Sequence, residues 1–155
     1  VYGMKLYYFT PQEFVRGGVE WYPHIDRRLL VLLDALRHQW GHPIRISPVN
    51  GAVGRKMGRG KLSQHNISEW GEVRAVDTLP EGLKDSADAS VFLHLATSLG
   101  FTGIGLYPNW TPSVGVHLDT RHDAHPGQPA TWGGVNNALG QQKYVSLNDA
   151  LEVMA

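Results

Sequence analysis

The sequence predicts a single α+β domain built on a small, mainly antiparallel sheet with flanking helices. Three observations predict it: two apolar stripes at helical spacing, short β-branched segments between and after them, and two glycine-bearing segments joined through a Pro-Asn turn. The 155 residues, 42% of them hydrophobic, suffice for one core, and a chain of this size buries about two-thirds of its unfolded surface. Residues 4–155 show neither a repeat nor an interdomain linker, so one domain and a monomer are expected. Val1-Tyr2-Gly3 precede the first methionine, Met4, and are set aside as a remnant of expression or processing.

The first stripe is Ile25, Leu29, Leu32, Leu33, Leu36 and Trp40. With Pro23 near its start and Gly41 past its end, it predicts a helix over about 24–40. Pro43 to Ser47 suits a short strand, and the run 50–61, with four glycines among basic residues, a surface loop. A second strand over 74–79 would place Ala75, Asp77 and Leu79 on one side, with Asp77 at the strand's edge or end. Asp85 or Ser86 caps a helix carrying Phe92, Leu95, Ala96 and Leu99 and stopped by Gly100; its His94 reads as structural. Segments 101–107 and 113–119 then pair antiparallel, with Val114, Val116 and Leu118 facing the core and Gly115, His117 and Asp119 facing the other way. Beyond Arg121 the chain is rich in Gly, Pro, Gln and Asn until Ser146, which with Asp149 starts a short terminal helix.

Composition removes several classes of function. Lys plus Arg and Asp plus Glu both number 14, so the balance needed to track a phosphate backbone is missing and no nucleic-acid partner is expected. No stretch approaches the roughly 20 apolar residues that cross a bilayer, and the first residues lack a basic segment followed by an apolar run. There is no cysteine, so any metal must be held by histidines and carboxylates. His65 at the end of the glycine-rich loop, Asp77 on a strand and His117 on a strand's polar face make the combination, two histidines and one carboxylate, that commonly holds a catalytic zinc with one position open.

Ser63-Gln64-His65, then Arg74-Ala75-Val76-Asp77, then Gly103-Ile104-Gly105-Leu106-Tyr107-Pro108, then Val116-His117-Leu118-Asp119-Thr120 resemble the zinc D-alanyl-D-alanine carboxypeptidase superfamily, in particular its branch of murein endopeptidases and phage endolysins. Phe9, the first helix, Pro43-Ile44-Arg45-Ile46 and Asn50-Gly51-Ala52-Val53-Gly54 follow in the order expected there, so the resemblance covers most of residues 9–132. It implies a fold shared with those peptidases and with a hedgehog signalling domain, one zinc per chain on His65, Asp77 and His117, and hydrolysis of peptidoglycan stem peptides or cross-links. Action on the cell wall follows from that substrate. A non-catalytic zinc domain, hedgehog-like or cell-wall-binding, is the alternative.

The chain departs from the family pattern in three places. Eleven residues separate His65 from Asp77, more than usual, and Asn66-Ile67-Ser68-Glu69-Trp70 reads as an insertion placed to cover the metal or shape the cleft. Ile46 stands where the family often has an arginine before Ser47-Pro48, leaving Arg45, displaced by one residue, as the candidate grip on a substrate carboxylate. Ser113, Val114 and Gly115 replace the carboxylate expected before the last histidine. Asp119 is the first candidate for general base, with orientation of a ligand as its other reading; Glu69 and Glu72 are rivals, and His122 and His125 read as loop residues. Ser63 and Trp70 join Arg45 as candidate substrate contacts. Trp40 belongs to the helix stripe, whereas Trp70, Trp110 and Trp132 flank the metal segments as candidate cleft walls, and the cluster Arg55-Lys56 with Arg59 to Lys61 reads as a solvated loop.

Overall fold

The computed structural model describes residues 4–155. A 3-10 turn (Pro11–Phe14), the small hairpin of β1 (Val15–Arg16) and β2 (Val19–Glu20), and a second 3-10 turn (Tyr22–His24) lead into helix α1 (Arg27–Trp40). The second turn takes up Pro23, and α1 starts three residues later than the stripe suggested because the Asp26 side chain accepts a hydrogen bond from the Arg28 amide and caps it there. Gly41 ends it at φ 79°, a left-handed conformation that only glycine adopts without strain.

Strand β3 (Ile44–Ile46) is followed by the glycine-rich loop, the single helical turn α2 (Ile67–Trp70) and strand β4 (Ala75–Pro80). Helix α3 (Ser86–Leu99) lies between caps Asp85 and Gly100, as the sequence predicts. Strands β5 (Gly103–Tyr107) and β6 (Gly115–Asp119) form the expected antiparallel pair. The Gly- and Asn-rich stretch beyond Arg121, read as irregular, contains two further strands, β7 (Ala130–Asn136) and β8 (Gln142–Val145), before α4 (Leu147–Val153), capped by the Ser146 side chain. Their composition hides them because Gly133 and Gly134 are packing positions: a Cβ on Gly133 would meet that of Ala150 at 2.4 Å, and one on Gly134 would meet the Tyr107 ring at 2.5 Å.

The six-stranded sheet has the order β3-β4-β6-β5-β7-β8, antiparallel throughout except for the β5–β7 pair. Asp77 therefore sits in the middle of an interior strand rather than at an edge or end: β4 is flanked by β3 and β6, and Asp77 lies directly opposite His117. One face of the sheet, with Val76, Ile104, Leu106, Val116 and Leu118, packs against Leu29, Leu33 and Leu36 of α1 and Phe92 and Ala96 of α3. Each of these larger side chains contributes on the order of 1.5–3 kcal/mol by leaving water. The other face carries Asp77, His117 and Asp119, and they too are buried. No helix among the described residues is long and apolar enough to cross a membrane.

Candidate metal centre

Asp77 and His117 face each other across the β4–β6 ladder, so the two strands alone bring a carboxylate and an imidazole together. His65 comes from outside the sheet. Its carbonyl accepts the Arg55 amide, the carbonyl of Gln64 accepts the Arg74 amide just before β4, and the loop itself is tied to the sheet where the Asp77 amide donates to the Ala52 carbonyl. One ligand atom each of His65, Asp77 and His117 lies within 4.8 Å of the others, and this buried group can hold a metal ion.

The hydrogen bonds on the far sides of both rings decide what the near sides offer. His65 Nδ1 lies 2.6 Å from the Val53 carbonyl oxygen, which only accepts, so Nδ1 carries a proton and Nε2 is the nitrogen left to offer a lone pair. His117 Nε2 lies 2.8 Å from Asp119 Oδ2, so it carries the proton and Nδ1 presents the lone pair. Both lone-pair nitrogens approach Asp77 Oδ1, His65 Nε2 at 3.3 Å and His117 Nδ1 at 3.0 Å. Two lone pairs set against one carboxylate oxygen repel unless a cation, proton or metal, lies between them. The donor set therefore fits a metal of the type that takes imidazole and carboxylate ligands.

The electrostatics report the same convergence. Burial pushes the Asp77 carboxyl up, but its contacts with His117 and His65, once a proton lies between them, outweigh it and hold the group well below the usual carboxylate range. Burial lowers His117, yet its contacts with Asp119 and Asp77 raise it overall to about 9. Asp119 is fully buried; burial raises it, and the hydrogen bonds from His117 and Arg121 bring it well below the usual range. Arg121 closes on Asp119 with Nη2 2.6 Å from Oδ2 and Nε 2.9 Å from Oδ1. Asp119 is thus behind His117, on the nitrogen turned away from Asp77, with both oxygens engaged.

A cleft of about 400 Å³ opens over the group, walled by Arg55, Tyr107, Trp110, Arg121, Trp132 and Tyr144. Asp77 is the single carboxylate among its lining residues. Ser63 lines it, its hydroxyl 3.3 Å from the His65 amide. Arg45 does not: it lies in a separate hollow with Glu13, Arg16 and Pro48, because its edge strand carries it away from β6. The guanidinium groups at the cleft belong to Arg121 and to Arg55, whose Nη2 is 3.9 Å from Asp77 Oδ2 and whose Nε is fixed to the Gly51 carbonyl. Arg55 thus departs from the solvated-loop reading that suits its basic neighbours.

The insertion braces the loop instead of covering the His65, Asp77 and His117 group. Fully buried Asn66 donates to the carbonyls of Gly58 and Lys61 and accepts from the amides of Met57 and Ser68. Trp70 donates its indole N–H to the Ser63 carbonyl and lies under the Arg74 guanidinium, so it is no cleft wall. Glu69 is bound to the Gly60 amide and Glu72 to Arg74, and His122 and His125 are exposed outside the cleft, so none of these stands over the ligands.

Trp110 and Trp132 do form walls, seated by strand glycines. The Trp132 indole lies on Gly105, directly opposite His117, where a Cβ would come within 2.5 Å of it, and its ring centre is 5.1 Å from that of His117. Trp110 lies on Gly115 and stacks on Tyr107 at 4.1 Å. Glycines alternating along β5 on the polar side, Gly103 under the Asp119 carboxylate and Gly105 under Trp132, were the legible signal that large groups lie flat there. A larger open hollow of about 580 Å³ beside residues 4–8 and α1 holds no comparable ligand group among the described residues. Comparison with protein-family models, with curated proteins and with solved structures finds no match, so the chemistry of this centre is read from its own geometry.

Proposed function

We propose that this chain is a zinc-dependent peptidase that cuts the stem peptides or cross-links of peptidoglycan, acting as a monomer with one zinc held by His65, Asp77 and His117. The observation that carries the reading is the pair of imidazole lone pairs, each fixed by a bond on the opposite nitrogen, converging on one oxygen of Asp77 within an open cleft. The ordered resemblance of residues 9–132 to the zinc D-alanyl-D-alanine peptidases adds the substrate class. Zinc in such a site would supply Lewis-acid polarisation of an amide carbonyl and would bring the pKa of water down to roughly 7.

The chain's own residues do the rest. Asp119 holds His117 in the tautomer whose Nδ1 is available and turns the ring toward Asp77, and Arg121 fixes Asp119 in turn. This assigns Asp119 to orientation rather than to base catalysis. Arg55 gives the cleft a positive group suited to a carboxylate-bearing peptide, and Trp132 packs beside the ring of His117.

Purified protein is expected to contain about one zinc per chain, and His65→Ala or His117→Ala to lose both the metal and the release of muropeptide fragments detected by mass spectrometry. Full activity in either variant sinks the assignment. A second reading is favoured by one observation, the lack of any carboxylate besides Asp77 among the residues lining the cleft: a zinc domain that binds without cutting. Stoichiometric zinc with no fragment released from a broad set of muropeptides selects it.

A further inference from the structure

Tyr107 has an unusual environment for a buried phenol. It is 6% exposed and lines the cleft over the His65, Asp77 and His117 group. On β5 it stands two residues from Gly105, the direct partner of His117, and therefore on the same side of the sheet. One side of its ring lies against Gly134, where any Cβ would collide with it at 2.5 Å, and the ring stacks at 15° on Trp110. The ring is held on both counts and has little freedom to turn.

The hydroxyl is fixed as well. Trp132 Nε1, a group that only donates, lies 2.7 Å from the Tyr107 oxygen, so that oxygen accepts. No acceptor among the described residues takes the proton of the phenol itself. Burial pushes the group up to about 12, the indole N–H only partly offsetting this, so the proton stays on the oxygen at neutral pH. A clamped O–H with its donor capacity unspent thus borders the cleft beside the metal ligands.

We infer that the Tyr107 hydroxyl donates a hydrogen bond to the carbonyl oxygen of the scissile amide as that oxygen takes on negative charge. The inference rests on the peptidase reading above and adds to it a residue that touches the reacting atoms. The phenol keeps its proton throughout; its effect is electrostatic, and its value lies in being oriented before the charge develops, so that no reorganisation is needed at that moment. Trp132 acts through Tyr107, as a positioning residue.

Tyr107→Phe keeps the ring on Gly134 and Trp110 and removes the donor alone. Inorganic phosphate serves as a probe of the site, because it offers several anionic oxygens whether or not the protein cuts peptides. Calorimetry on zinc-loaded protein is expected to show phosphate binding weakened by ~10- to 100-fold in Tyr107→Phe, the value of one hydrogen bond to a charged group. Fragment release from murein is expected to fall by ~10²- to 10³-fold in kcat with KM little changed. Weakened phosphate binding with no hydrolysis by the wild type removes the peptidase reading and leaves Tyr107 as the anion donor. Equal phosphate affinity in the two proteins, or none in the wild type, overturns the assignment of Tyr107 whatever the hydrolysis shows. If Tyr107→Phe does not fold, Trp132→Phe, which frees the hydroxyl to rotate, is expected to weaken phosphate binding several-fold, and unchanged affinity there counts equally against it.

Discussion

The two faces of the central sheet are both buried, yet they are built on opposite rules. On the helix side, Val76, Ile104, Leu106, Val116 and Leu118 meet the leucines of α1 and the Phe92 stripe of α3, and shape alone satisfies them. On the other side, Asp119 is fully buried and Asp77 and His117 are nearly so at the floor of the cleft, and each requires a named partner, because an unpaired buried charge costs several kcal/mol. The strands alternate between these demands residue by residue. A substitution should therefore injure either the fold or the site according to its parity along the strand or its face on the helix, and the experiments that follow try to break that division.

The largest effect is expected on the helix side. Leu33→Ala removes a fully buried side chain between α1 and the sheet and should cost about 2–5 kcal/mol in urea unfolding, while the folded fraction still binds one zinc. Loss of zinc stoichiometry in the folded protein would show that the two faces are coupled. Asp119→Asn tests the other side. It keeps the volume but can present an N–H to His117 Nε2, so zinc affinity measured against a competing chelator should fall by about 10–100-fold with a smaller change in folding stability. Unchanged affinity would end the orienting role.

The smallest effect is a dependence on pH. In metal-free protein the proton on His117 is held up to about 9, against an ordinary value of 6.5. A raised folded-state value stabilises fully below 6.5, and that contribution is lost progressively as pH rises toward 9, so thermal stability of the metal-free form should decline across this interval and then level. Asp77 and Asp119 have the opposite sign: their lowered values stabilise above the ordinary 3.8, and the contribution is lost as pH falls below it. On the proposed zinc reading the metal displaces the His117 proton, so apparent zinc affinity should rise with pH up to about 9, and zinc-loaded protein should lack the alkaline decline. Identical pH profiles for the two forms would mean that the metal is bound elsewhere.

Much of the fold was legible because its signals are local. α1 and α3 carry a stripe, a cap and a glycine stop within one segment, and β4, β5 and β6 announce themselves by alternation and a turn. β7 and β8 were missed because Gly133 and Gly134 look like loop residues until Ala150 and Tyr107 are seen resting on them. Within the site, the His65, Asp77 and His117 group was readable, and so were Trp110 and Trp132 as walls. Trp70 and Arg45 were misassigned: they lie near the site in sequence, but Trp70 braces the loop, and the guanidinium groups at the cleft are those of Arg55 and Arg121.

Sequence by itself determined the α+β architecture, the side that the residues of β4 and β6 face and the residue types available to a metal in a chain without cysteine. Tertiary structure alone decided what those residues can do. The Asp77–His117 contact joins positions 40 apart, and the proton positions on both imidazoles depend on the Val53 carbonyl and on Asp119 held by Arg121. Periodicity records which way a side chain leaves its own element. It carries no information on which partner waits there, because that depends on the register of strands distant in sequence and on the loops that cross above them.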